Sequence, residues 1–257
     1  DKEIYLMDYD GANERQITAH RSVSLFPAWT PDSSAVAYVS FLDGSPGIYR
    51  ADLSTGRKQA LVTGGAFNTS PAFSPDGTEM AFARSLDGNT ELFVADADGS
   101  NPRRLTFTGA IDTNPAWSPT GNEIAFTSSR SGRPDIWVVD PEGTNTQRIS
   151  TGGNYNDGAA WSPDGTLVAY ASRRDGVFQI AVTDRASLET VVLTSGSGDK
   201  ESPSFSPDGR KIVYTQASPG RSGKESQIWV MDADGRNPRQ LTSEGNSYSP
   251  AWSDYRE

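Results

Sequence analysis

His20 is the only histidine in this 257-residue chain, and there is no cysteine. A multi-histidine metal site and thiolate chemistry are therefore excluded, and a hydrolytic triad would have to be built around this single imidazole. Carboxylates are the abundant reactive type: 33 Asp and Glu stand against 23 Lys and Arg, for a net charge of −10. So many acids always place some pair close together, so paired carboxylates carry only a weak glycosidase signal. The loops Asp8-Tyr-Asp-Gly-Ala-Asn13, Asp96-Ala-Asp-Gly-Ser-Asn101 and Asp232-Ala-Asp-Gly-Arg-Asn237 superficially resemble calcium loops. Their Gly stands fourth, whereas an EF-hand needs Gly sixth and a bidentate Glu twelfth. They read as tight turns, in which Asp and Asn bond nearby backbone groups and Gly accepts positive φ. No Gly-x-Ser-x-Gly elbow, Gly-x-Gly-x-x-Gly loop or Gly-Lys-Ser/Thr phosphate loop occurs. The acidic balance and scattered basic residues make nucleic acid and anionic membrane surfaces poor partners. No apolar run approaches the roughly 18 residues of a membrane span, so no membrane insertion is expected.

The elements that would position any site come from a repeat. Pro27-Ala-Trp-Thr returns as Pro71-Ala-Phe-Ser, Pro115-Ala-Trp-Ser, Ala159-Ala-Trp-Ser, Pro203-Ser-Phe-Ser and Pro250-Ala-Trp-Ser, with the first five starts 44 residues apart. Within the unit from Pro71, a short apolar strand meets the turn Pro75-Asp76-Gly77 and a second strand runs from Thr78 to Ser85. Asp87-Gly88-Asn89 breaks that strand, a third spans Glu91 to Asp96, and after Asp98-Gly99 a fourth covers Arg104 to Phe107. Second strands recur at 35–39, 123–127, 167–171 and 211–215. Four antiparallel strands per repeat of about 44 residues is a propeller blade, and six phrases predict an all-β, six-bladed β-propeller.

One propeller domain spans 1–257, with blades starting near 27, 71, 115, 159 and 203. The last blade combines 250–257 with 1–26, so that N- and C-terminal strands mix in one blade and close the ring. That blade shows no second strand; sequence ahead of Asp1 is the preferred source. The aromatics at 29, 73, 117, 161, 205 and 252 are expected between blades. The unit from Pro203 is 47 residues long, and its Gly- and Ser-rich insertion around 218–226 is expected to be a surface loop.

Function is sought in the loops that lead into each first strand, at 19–26, 65–70, 110–114, 153–158, 197–202 and 244–249. They carry His20, Asp112, Asn114, Asn156, Asp157, Asp199, Glu201 and Asn246, and a ring of them would gather acidic and hydrogen-bonding groups around one channel mouth. Focused negative potential there would favour a cation, or a peptide with basic or amide donors.

The Pro-Ala-Trp-Ser-Pro-Asp-Gly phrase, the strands Glu123-Ile-Ala-Phe-Thr-Ser128 and Asp135-Ile-Trp-Val-Val-Asp140, and the Asp-x-Asp-Gly-x-Asn turns resemble the TolB-type propeller repeat. The order Asp8-Tyr-Asp-Gly11, His20-Arg-Ser22, Pro27-Ala-Trp29 and the end at Pro250-Ala-Trp-Ser-Asp-Tyr255 is similar to propellers of that family, periplasmic components of the Tol-Pal cell-envelope system. The N-terminal α/β domain of the family has no match here. The resemblance implies a periplasmic location and a mouth that engages the lipoprotein Pal or a colicin translocation peptide. It also implies calcium in the central channel as an alternative to no cofactor. The family's contact positions match Phe67, Ser70 and Thr113, with Phe67 replacing a family histidine. The expected function is therefore a non-enzymatic, monomeric protein- or peptide-binding propeller. The alternatives are a propeller polysaccharide lyase or hydrolase, a peptidase-associated propeller, or a scaffold without a channel ligand.

Overall fold

The computed structural model describes residues 2–20, 22–64, 67–86, 88–220 and 223–253, and these form strands and turns without a helix. Two short strands, β1 (Tyr5–Leu6) and β2 (Arg15–Gln16), open the chain. Five four-stranded antiparallel sheets follow in order. The first holds β3 to β6 (Ser24–Trp29, Ala35–Ser40, Gly47–Asp52, Lys58–Val62), and the second β7 to β10 (Phe67–Phe73, Glu79–Leu86, Asn89–Asp96, Arg103–Arg104). The third holds β11 to β14 (Asp112–Trp117, Ile124–Ser128, Asp135–Val139, Thr146–Arg148). The fourth holds β15 to β18 (Asn156–Trp161, Leu167–Arg174, Val177–Asp184, Thr190–Val192). The fifth holds β19 to β22 (Lys200–Phe205, Lys211–Gly220, Gly223–Asp232, Arg239–Gln240).

The core lies between blades. Ala37, Val39 and Ile48 of the first blade pack on Met80, Phe82 and Phe93 of the second, and Phe73 joins them. Trp117 and Trp161 sit in the equivalent positions one and two blades on. A second strand is thus enclosed on both faces, and β4 and β12 are buried at every residue. This is why these strands read as continuous apolar runs rather than alternating ones. The Ser or Thr closing each of the first five phrases holds the next turn: Ser74 Oγ donates to Asp76 at 2.6 Å and accepts from Glu79 N at 2.9 Å. Ser162 and Ser206 repeat the pattern.

Each inner strand begins three or four residues ahead of its phrase and carries a bulge. The register shifts between Leu25 and Ala28, Thr69 and Ala72, Thr113 and Ala116, Asp157 and Ala160, and Glu201 and Ser204. At each shift one residue takes positive φ: Phe26 (52°), Ser70 (54°), Asn114 (50°), Gly158 (67°) and Ser202 (54°). The Pro that usually follows has no N–H for the ladder, and the bulge sets it out of register.

Three expectations are corrected. Among the described residues there are five four-stranded blades, not six. β1 and β2 pair only with each other, and Pro250–Ser253 joins no ladder. The phrase counts inner strands, whereas a blade needs a hydrogen-bonded second strand beside each, and between Pro250–Ser253 and β1 lies a cavity instead. Among the described residues the terminal segments therefore do not form a blade that closes the ring; residues 254–257 and Asp1, assigned to that blade, lie outside the described residues. The insertion near 218–226 is not a loop either. It lengthens the hairpin, whose ladder continues through Ser218 and Glu225 to Gly220 and Gly223. Arg21, Gly65, Ala66 and Asp87, named in the expected loops and turns, are also outside the described residues.

Candidate partner-binding face

The start of each inner strand, the turn between strands two and three, and the chain leaving strand four all lie at one end of a blade. Phe67 pairs with Ser85 there, beside the β8–β9 turn. Five blades present these segments side by side, and the residues singled out from sequence fall into three groups on them.

The first group is interior. Asp112, the first residue of β11, is fully buried and accepts from Arg130 at 2.8 Å. Asn156 holds the same place in β15 and donates to Asp135 at 2.8 Å. Asn68 accepts from Arg84 at 2.8 Å, and Lys200 donates to the carbonyls of Ser195, Gly196 and Ser197 at 3.0, 3.2 and 2.9 Å. This position pins the incoming loop to the blade, and the charge of Asp112 is compensated locally rather than offered to the channel.

The second group forms one chain across three blades. Ser70 Oγ donates to Asn114 Oδ1 at 2.8 Å, and Asn114 Nδ2 donates to Asp157 Oδ1 at 2.8 Å. Thr127, the ladder partner of Thr113, donates to the same Asp157 oxygen at 2.7 Å. Glu201 holds the Asp157 position in β19 and is half-buried. Tyr155 sits beside these acids, and burial, then Asp157 and Glu201, push its phenol above the ordinary value.

The third group stands apart from that chain. Asp199 accepts from Phe178 N at 3.0 Å. His20 Nε2 lies 3.0 Å from Tyr38 OH with the rings stacked, and its backbone N–H donates to Glu3. Burial, with Lys58 adding to it and Glu3 opposing, holds the imidazole below its ordinary pKa. Among the described residues no group of three or more His, Cys, Asp or Glu side chains is placed to hold one metal ion.

Sequence reading missed the apolar content of this face. Phe67 is 59% exposed, and Phe41, Leu86, Phe107, Ile111 and Tyr155 are exposed with it, all in turns or incoming segments of this end. Arg104 lies over Phe107 with 4.9 Å to the ring centroid, and Tyr155 meets Phe178 edge-on at 5.5 Å. Large apolar residues in Gly- and Asp-rich loops were the available signal. Also missed was a clasp at a spacing of 15 residues. Glu91 accepts from Thr106 Oγ1 at 2.6 Å while that oxygen accepts from Leu92 N at 3.0 Å. The pairs Glu3 and Thr18, Asp135 and Ser150, Gln179 and Thr194, and Gln227 and Thr242 repeat it.

Fold and face together define a β-propeller whose variable chemistry is carried by loops at one end of a ring of blades. The sequence profile of the TolB beta propeller domain matches residues 1–256, and the chain belongs to that family. It is 44% identical over 57 residues to a protein TolB homolog of Chlorobaculum tepidum, a stretch covering 22% of this chain and 13% of that protein. It superposes on the crystal structure of TolB from Acinetobacter baumannii with a TM-score of 0.86 and 34% identity, covering 96% of this chain and 61% of that one. The chain thus spans less than two thirds of the length of these two relatives. An oligogalacturonate lyase from Vibrio parahaemolyticus shares the fold alone, with a TM-score of 0.63 at 14% identity, covering 96% of this chain and 88% of that one.

Proposed function

We propose that this chain is a non-enzymatic binding propeller of the Tol-Pal system. It acts in the periplasm and takes a protein loop or extended peptide of a Pal-like lipoprotein on the loop-lined face. The observation that carries the reading is that exposed Phe67, Phe107, Ile111 and Tyr155 lie at the same end of the blades as the hydrogen-bonded Ser70–Asn114–Asp157 chain. Large exposed aromatics next to oriented polar groups are the composition of a protein-recognition surface, in which a few aromatic anchors carry most of the energy. Support also comes from rigidity. The positive-φ bulges and inter-blade bonds fix the polar groups before a partner arrives, which limits the ordering cost of association.

Calorimetric titration of the soluble domain of a Pal-type lipoprotein into this chain tests the reading. Replacing Phe67, Phe107 or Tyr155 by Ala weakens binding by about tenfold or more, as expected for anchors. Replacing exposed Val191, on the outer strand β18, leaves affinity unchanged. Equal affinity for all four variants would place the partner elsewhere.

A further inference from the structure

Two guanidinium groups hold the same place in successive blades. Arg84 of β8 lies over Phe82 and Phe93, 5.2 and 5.0 Å from the ring centroids, and Arg130, just after β12, lies over Phe126 and Trp137 at 5.0 and 5.1 Å. Each pair of rings is a ladder pair between the second and third strands of its blade. The inner strand brings a partner to each cation from the same position, three residues ahead of the phrase: Asn68 before Pro71 and Asp112 before Pro115. Asp112 is a carboxylate and neutralises Arg130 at 2.8 Å. Asn68 is an amide and accepts from Arg84 Nε at 2.8 Å without bringing a charge. One ion pair is complete within the chain, and the other is half built.

Among the described residues Arg84 forms no ion pair, and only its Nε has a partner. Its ladder partner Glu91 is committed elsewhere, accepting from Asn89, Arg104, Thr108 N and Thr106 at 2.7, 2.7, 3.0 and 2.6 Å. Arg84 is half-buried, and burial with no opposing charge holds its pKa below the ordinary value. A desolvated cation without a counter-ion is unfavourable, and a carboxylate meeting the guanidinium fork offsets that. Room for one exists. Arg84, Leu86, Asn89, Glu91, Phe93 and Arg104 line a cavity of about 200 Å³, in which two arginines stand against one glutamate. The cavity belongs to the loop-lined end: Asn68 follows exposed Phe67, and Arg104 lies over exposed Phe107.

We propose that this cavity is a carboxylate subsite of the partner-binding face, taking one acidic side chain or a C-terminal carboxylate of the bound segment onto the free edge of the Arg84 guanidinium. The proposal rests on the reading of that face as a protein-binding surface and adds the partner's chemistry to it. A carboxylate is the group that the chain itself supplies to the equivalent arginine, through Asp112. The net charge of −10 disfavours a run of acids at long range, so the subsite takes a single carboxylate within an otherwise uncharged segment. Leu86 and Phe93 give the carbon stem of such a group apolar walls.

Sodium acetate is the first probe, titrated at ionic strength held constant with sodium chloride. NMR reads the side-chain Nε–H signal of Arg84, which Arg84→Lys identifies by removing it. A saturable shift is expected with acetate and none with acetamide, which has the same shape without the charge. Asn68→Asp gives Arg84 the internal carboxylate that Arg130 already has, and it should weaken acetate binding about tenfold or more. N-acetyl-aspartyl amide and N-acetyl-alanine carry a side-chain and a C-terminal carboxylate respectively, and the tighter of the two identifies the source. The second probe is the soluble domain of a Pal-type lipoprotein. Arg84→Met, which keeps the stem over the rings, and Asn68→Asp should each weaken its binding about tenfold or more. Asn68→Asp carries the test if Arg84→Met folds poorly. The assignment is overturned by the absence of a saturable acetate shift, by an equal shift with acetamide, or by an unchanged response in Asn68→Asp. A response seen only after Asp87→Asn would overturn it too, since an acid of the adjoining turn would then hold the place. Lipoprotein affinity unchanged in both variants, but lost in Phe67→Ala, would overturn the subsite and leave the protein-binding reading standing. If the lipoprotein domain does not bind the unmodified chain, that reading fails and the acetate titration alone decides the subsite.

Discussion

Asn114 bridges two blade boundaries: its Nδ2 donates to Asp157 of the next blade at 2.8 Å while its Oδ1 accepts from Ser70 of the previous one at 2.8 Å. Three consecutive inner strands are thus tied by side chains at the mouth of the ring, and the left-handed backbone at Ser70 and Asn114 aims those side chains at one another.

Removing the acceptor should loosen that tie. Asp157→Ala deprives Thr127, Asn114 and the Gly158 N–H of a shared partner. The expected loss is about 1–3 kcal/mol in urea unfolding, the cost of leaving half-buried donors unmatched. Asn114→Ala combined with it should cost less than the sum of the two, because both act on one bond.

The clasp of the second blade gives a sharper contrast. Thr106→Val keeps the shape of the side chain but removes the hydroxyl that bonds both buried Glu91 and Leu92 N. It should destabilise by about 1–3 kcal/mol. The first blade has Gly47 and Val62 at the matching positions, so Val62→Thr there buries a hydroxyl with no carboxylate to meet and should gain nothing. Equilibrium unfolding of both variants checks the pair.

Turn glycines should divide by what stands next to them. Gly99 has φ 86° and an added Cβ would lie 2.1 Å from the Leu61 carbonyl oxygen, whereas Gly56 has φ 69° with nothing within 4 Å. Both Ala variants pay the left-handed backbone cost of about 1 kcal/mol, but only Gly99→Ala also forces two blades apart. Gly99→Ala should therefore unfold at distinctly lower denaturant than Gly56→Ala.

Acid should act through the turn aspartates. Bonds from Thr55, then Ser54, hold Asp52 at about 2, below its ordinary 3.8. Asp76, Asp98 and Asp164 are lowered in the same way by neighbouring Ser or Thr groups. A lowered folded pKa favours the folded state above the unfolded value, and that contribution disappears as pH falls through the folded one. Stability should therefore fall between roughly pH 4 and pH 2, and Asp52→Asn should make that limb shallower. An unchanged limb would mean that the Thr55 and Ser54 bonds do not persist in solution.

Much of this was legible in the residues. Pro-Ala-Trp-Ser marks inner strands because its aromatic residue enters an inter-blade core and its Ser holds the following turn. The blade count was not legible from it, since Pro250–Ser253 has the phrase without a ladder partner. Asp112 and Asn156 were assigned to the mouth because Gly- and Asn-rich stretches hide where a bulged strand begins; both prove to be interior pins. Phe107, Ile111 and Tyr155 escaped because apolar residues inside loops look incidental until the topology brings several to one end.

The central claim, that a protein partner sits on the loop-lined face, is tested most directly by hydroxyl-radical footprinting of the complex with a Pal-type lipoprotein domain. The account predicts protection of Phe67, Phe107, Ile111 and Tyr155, with Tyr9 and Val191, exposed elsewhere on the molecule, reacting as in the free chain. Protection of Tyr9 or Val191 with the four face residues still reactive would contradict it.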